Sequence, residues 1–142
     1  MKRLITAAAL ASAILLTGCG QKAGEIEGKT GKDISASSSA EDLSEAYLNE
    51  FDRIATALES IHDEASAKAA AKEIQKSAEG LEAMQTALDS KQNDLKTMQV
   101  FAKSLPELSQ IQQRITQEMT RLHSEDPELA KIVSDEINRL ND

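Results

Sequence analysis

The sequence is short of most things that stiffen or activate a fold. In 142 residues there is one cysteine, no tryptophan, two phenylalanines and one tyrosine. A single cysteine excludes an internal disulfide framework and a cysteine-built metal site. So few aromatics leave a core of aliphatic side chains and alanines, with moderate stability for the size. Past Ser39 the only glycine is Gly80, and the only prolines are Pro106 and Pro127. No stretch alternates apolar and polar residues at period two, so no strand is expected. Basic residues are outnumbered, 16 against 24 acids, and the net charge is −8. That balance argues against nucleic acid and against a polybasic grip on anionic lipid. There is no Gly-x-Ser-x-Gly elbow, no phosphate loop and no His-Glu-x-x-His, so nothing supports an enzyme.

What is present starts at the N-terminus. Lys2 and Arg3 precede an apolar run over residues 4–16, broken only by Thr6 and Ser12. The run is too short to span a bilayer as a finished helix, and it stops at Leu16, Thr17, Gly18 and Cys19. This pattern resembles the signal peptide and lipobox of bacterial lipoproteins. The resemblance implies that residues 1–18 are removed and that the Cys19 thiol carries a diacylglycerol, with palmitate-type acylation of the new amino group. Each buried CH₂ is worth about 0.8 kcal/mol, so two or more chains anchor stably. Membrane contact is then expected through that lipid and not through the domain. Gly20 stands where an aspartate retains lipoproteins at the inner membrane of enteric bacteria, so the resemblance implies the outer membrane, facing the periplasm. Without Lys2 and Arg3 the chain keeps 14 basic residues against 24 acids, a net charge of −10.

Residues 19–39 read as the lipidated N-terminus and a flexible tether, with glycines at 20, 24, 28 and 31 and serines at 35, 37, 38 and 39. Residues 40–142 read as the helical domain, rich in Ala, Leu, Glu, Lys and Gln. Ser39, with Asp42 three residues on, predicts the cap of a first helix from Ala40. Leu43, Tyr47, Phe51, Ile54, Leu58, Ile61 and Ala65 give it one apolar stripe. Asp63 predicts the cap of a second helix, whose stripe runs through Ile74, Ala78, Leu81, Met84 and Leu88. Residues 89–94 read as a turn, with a continuous helix as the alternative. Leu95, Met98, Phe101 or Ala102, and Leu105 resume the stripe. Pro106 predicts an end or kink, followed by a stripe of Leu108, Ile111, Ile115, Met119 and Leu122. Asp126, Pro127 and Glu128 predict a fresh start, with Leu129, Ile132, Val133, Ile137 and Leu140 on a short fourth helix. The expected fold is all-α, an antiparallel three-helix bundle or helical hairpins with a short C-terminal helix.

The string IHDEASAKAAA at 61–71, with the later PEL runs from Pro106 and Pro127, resembles small helical proteins of bacterial envelopes. It brings no activity with it. The anchor and apolar repeat are also similar to the murein lipoprotein, a lipid-anchored coiled coil. That family ends in a lysine joined to peptidoglycan, whereas this chain ends in Arg139, Leu140, Asn141 and Asp142. The covalent link is therefore not implied, and the prolines interrupt the heptads a fibre needs.

The functional expectation is a lipid-anchored, non-enzymatic interaction or structural protein, with no cofactor. A protein partner or self-association through helical faces is expected near Leu48, Val100, Phe101 and Ile132. The alternative is a periplasmic metal-binding or stress-related protein. Three helices running up, down and up bring His62 and His123 to one end, flanked by Asp63, Glu64, Glu125 and Asp126, where imidazole and carboxylates can take zinc, nickel or copper. The bland reading of the same end is solvated helix termini and caps, and no pair has the i, i+4 spacing of a preformed helical site. Met84, Met98 and Met119 read as core filling. Glu73, Glu79 and Glu82 among lysines read as a solvated face.

Overall fold

The computed structural model describes residues 28–139, and these form four α-helices joined by short turns, with no strand among them. They are α1 (Ala40–Glu59), α2 (Glu64–Lys91), α3 (Leu95–Glu125) and α4 (Pro127–Arg139). The leader, Cys19, the start of the tether and Leu140 lie outside the described residues.

The helices begin where side chains can satisfy the free N–H groups of a first turn. Ser39 Oγ accepts from Asp42 N at 3.0 Å, and Asp42 answers by accepting from Ser39 N. Asp63 accepts from Ser66 N at 2.7 Å, and Asp94 accepts from the backbone N–H groups of Lys96 and Thr97. Asp126 accepts from Leu129 N at 3.2 Å, just before Pro127. Residues 92–94 break the chain between α2 and α3, so the turn is present and the continuous helix is not.

α1 is the central element. It packs along both α2 and α3, which scarcely touch each other. Lys96 pairs with Glu41 at 3.1 Å, Ser44 bonds Ser104 at 2.7 Å, and Arg121 donates to Ile61 O at 3.2 Å. These contacts ascend both helices together, so α1 and α3 run in the same direction and α2 runs opposite to them. α4 turns back over α2 and α3 at the end where α1 finishes.

Two apolar clusters result. One joins Leu58, Ile61, Ile74, Leu122, Leu129 and Val133, with Ala67, Ala70 and Ala130 letting the helices come close. The other joins Leu43, Ala46, Met84 and Ala87 with Tyr47, Leu81, Leu88 and Phe101 against it. Tyr47 packs on Phe51 and Phe101 with ring centroids 5.0 and 5.7 Å apart, so all three aromatics share one end. α4 supplies the fourth side of the first cluster, and none of its described side chains joins the second.

Three sequence expectations need correction. Residues 28–39 are not part of a free tether. They form a strap on α1 and α2, with a short 3-10 turn over Gly31–Asp33 and Ile34 buried in the second cluster. Lys29 pairs with Asp42, Lys32 with Glu79 at 2.7 Å, and Lys91 donates to Ser38 O. Pro106 neither ends nor starts a helix but sits inside α3. It costs one backbone bond, which packing against α1 on both sides offsets: Ser104 bonds Ser44 before it, and Arg114 meets Asp52 and Glu59 after it. Lastly, the stripe at 95–105 is not core. Leu95, Met98, Ala102 and Leu105 are exposed, and only Phe101 turns partly inward.

Candidate functional site

Two places in the bundle depart from simple apolar packing. The first is under the strap. Glu50 lies in the middle of α1 and is only 1 % exposed. Its Oε1 accepts the Gly31 N–H at 2.7 Å, and Oε2 stands 3.6 Å from the Arg53 guanidinium. The strap comes this close because both crossing residues are glycines. A Cβ on Gly31 would overlap the Gly80 carbonyl, and one on Gly80 would overlap the Glu50 carboxylate. Burying a carboxylate is costly unless it is bonded and paired, and here it has a backbone donor and a cation. The arrangement fixes the strap to the bundle. The sequence held a faint signal for it, since Gly80 is the lone glycine in an otherwise glycine-free helical region.

The second place is the outer face of α3. Among the described residues the most exposed large apolar side chains are Leu95 at 73 %, Leu105 at 58 % and Met98 at 55 %. With Ala102 they recur at spacings of three, four and three, so they form one stripe on consecutive turns. The stripe borders an apolar cleft of about 230 Å³ between the end of α2 and the start of α3, lined by Leu88, Gln92, Thr97, Met98 and Phe101 with Asp89 at its rim. No acid falls in residues 95–105, in a chain where acids outnumber bases. Asp94 caps the helix beneath, and the Thr97 hydroxyl and backbone N–H groups hold its carboxyl below the usual carboxylate range.

Of the expected partner residues, Phe101 lines this cleft and the other three lie apart from the exposed stripe. Leu48, Val100, Phe101 and Ile132 are all half-buried, Phe101 against the second cluster and Ile132 against the first. The periodic signal at 95–105 was visible, but periodicity cannot say whether a neighbouring helix is there to receive it.

His62 and His123 do sit at the same end of the bundle, where Arg121 reaches the Ile61 carbonyl. Both rings are exposed, and each Nδ1 is taken up by a nearby carbonyl, Ser60 O at 2.8 Å and Met119 O at 2.7 Å. Among the described residues no group of three or more His, Cys, Asp or Glu side chains is placed to hold a metal ion. Beside this end lies an open cleft of about 540 Å³ between the starts of α2 and α4, lined by Asp63, Glu64, Asp126, Glu128, Lys131 and Asp135 over Leu129 and Ile132. Two of its acids are already used as caps. The Ser66 N–H holds the Asp63 carboxyl below its usual range, and Asp126 serves α4. Lys131 pairs with Asp135 at 2.6 Å.

Met84 and Met119 fill core, whereas Met98 does not. Glu73 pairs with Lys76 at 2.6 Å on an exposed face, and Glu79 reaches across to Lys32. No helix among the described residues is long and apolar enough to cross a membrane. Comparison with protein-family models, with curated proteins and with solved structures finds no match.

Proposed function

We propose that this chain is a lipid-anchored, non-enzymatic helical protein of the bacterial envelope that works by presenting an interaction surface. The observation that carries the reading is the exposed stripe of Leu95, Met98 and Leu105 on a helix whose other side packs on α1. Contiguous apolar exposure of this kind marks a surface that meets a partner. The leader pattern and Cys19 supply the other half: a lipid on Cys19 confines the domain to a membrane surface and raises its effective concentration for whatever meets that stripe. Eight residues separate Cys19 from Gly28, where the strap begins, so the domain stays within roughly 30 Å of its anchor.

The test is an in-cell photo-crosslink. A crosslinking residue is placed at Met98, with Lys72 as an exposed control on α2, in the native precursor and in Cys19→Ala. The reading expects a discrete adduct at position 98 in the membrane fraction, absent at position 72 and diminished in Cys19→Ala. Equal labelling at both positions, or a native chain found in the soluble fraction, overturns it.

A further inference from the structure

The stripe on α3 lies where the bundle lacks a fourth helix. At the end formed by Leu58, Ile61, Leu122 and Val133, four helices close the core, with α4 bridging α2 and α3. α4 has 13 residues and α3 has 31, so α4 covers about 20 Å of a helix about 46 Å long. Beyond its reach α2 and α3, which scarcely touch each other, leave an open groove between them. The apolar cleft at Leu88, Met98 and Phe101 falls in that gap, and the exposed Leu95 and Leu105 continue the stripe from Met98 along the same side of α3.

We infer that the gap is filled by α3 of a second copy of this chain, packed antiparallel across a two-fold axis near residue 100. α4 folds back along α3, so a helix extending its line runs opposite to α3. A two-fold axis perpendicular to α3 supplies a helix in that direction, and makes the contact self-complementary. Positions 95, 98, 102 and 105 have the a, d, a, d spacing of a helix-pairing seam. In an antiparallel pair centred at 100, residue 95 faces 105 of the partner and 98 faces 102. Leucine then meets leucine at both outer layers, and at both inner layers methionine meets alanine, long against short.

Charge allows the approach. The only charged residues between 95 and 105 are Lys96 and Lys103. Lys96 is turned to α1 by Glu41, and Lys103, one heptad later, lies on the same side of α3. The cleft carries one amide, Gln92, and one acid, Asp89, which already accepts from Gln85 at 3.1 Å, and Gln99 is exposed beside Met98. The next two seam positions are Ser109 and Gln112, so the apolar surface ends where the pairing would. Three turns of helix cover less than the roughly 800 Å² per partner of a standard interface, so the pair gains from being held at a membrane surface.

This deepens the interaction reading by naming the partner, and it relies on the anchor only for local concentration. The test uses the full chain with the photo-crosslinker at Met98, in four backgrounds: native, Leu95→Lys, Leu105→Glu and the double variant. Positions 95 and 105 are exposed and about 15 Å apart along one helix, so the new charges reach each other only between copies. The expected result is an adduct of twice the chain mass, lost several-fold in each single variant and restored in the double, with helical content unchanged throughout. No double-mass adduct, an adduct of another mass, or a double variant no better than the singles overturns the pairing. If the chain is found unanchored, the same four variants are read on the soluble fraction. A double-mass adduct that follows the charge swap there upholds the pairing and removes only the anchor.

Discussion

The carboxylate of Glu50 accepts the backbone N–H of Gly31 at 2.7 Å, and the same Oε1 occupies the space that a side chain at Gly80 would need. Strap, α1 and α2 therefore meet at a point where none of the three residues can grow. In an exposed helix interior, Gly→Ala stabilises by about 1 kcal/mol. At Gly80 the sign reverses, because the new methyl displaces a buried carboxylate, and overpacking of this kind costs about 1–3 kcal/mol. Urea unfolding followed by circular dichroism is expected to show Gly80→Ala less stable than the native chain. A gain in stability contradicts the close crossing.

Glu50 itself separates two contributions. Glu50→Gln keeps an acceptor for Gly31 and loses the charge opposite Arg53. Glu50→Ala removes both and leaves the Gly31 N–H buried without its acceptor, a loss of about 1–3 kcal/mol. Hydrogen exchange at Gly31 reports the difference: protection is expected to survive in Glu50→Gln and to collapse in Glu50→Ala. Equal protection in both variants means that packing of Ile34, and not the carboxylate, holds the strap.

Pro106 is exposed within α3. Pro106→Ala restores a backbone donor in mid-helix, and the intrinsic helix preference favours alanine by up to about 3 kcal/mol. A rise in thermal midpoint is expected with little change in the fold. A fall indicates that the proline supports the α3 geometry that the Ser44–Ser104 bond and the Arg114 pairs depend on.

These three predictions mark where the sequence was legible and where it was not. Ser39, Asp63 and Asp126 announced their helices because a cap is a local device, complete within four residues. The all-helical class followed from stripes of period 3.6 in a segment that, past Ser39, holds one glycine and two prolines. Glu50 was not legible, because one glutamate among many on an amphipathic helix carries no mark of burial until the strap is laid over it. The helix end expected at Pro106 is absent because local propensity spoke against a continuous helix and long-range packing against α1 prevailed. The stripe at 95–105 was seen but placed in the core. Its periodicity is the same whether the facing helix is in this chain, in another, or missing.

The pH dependence follows from the caps and pairs. The Ser66 N–H, the Thr97 hydroxyl and the Lys29 ammonium hold the carboxyls of Asp63, Asp94 and Asp42 below their ordinary value of 3.8. The Arg114 guanidinium does the same for Glu59. A carboxyl that is more acidic in the folded state adds stability that is complete above its unfolded value and lost as pH falls through its folded value. Stability is therefore expected to be level from pH 7 to about 5 and to fall below about 4. Asp63→Ala and Asp94→Ala are each expected to lower stability at pH 7 as lost caps, and the loss shrinks toward pH 2. A loss that does not change with pH assigns the effect to helix propensity instead.

The most direct measurement is the mass of the mature protein isolated from the membrane fraction of cells expressing the full precursor. The account predicts a chain that begins at Cys19, heavier than its polypeptide by the acyl groups on that residue, and returned to the unmodified mass series by Cys19→Ala. A chain that still begins at Met1, or one that begins near residue 19 with a free thiol and no added mass, contradicts it. Either result would leave the helical bundle standing without the membrane anchor on which its proposed role depends.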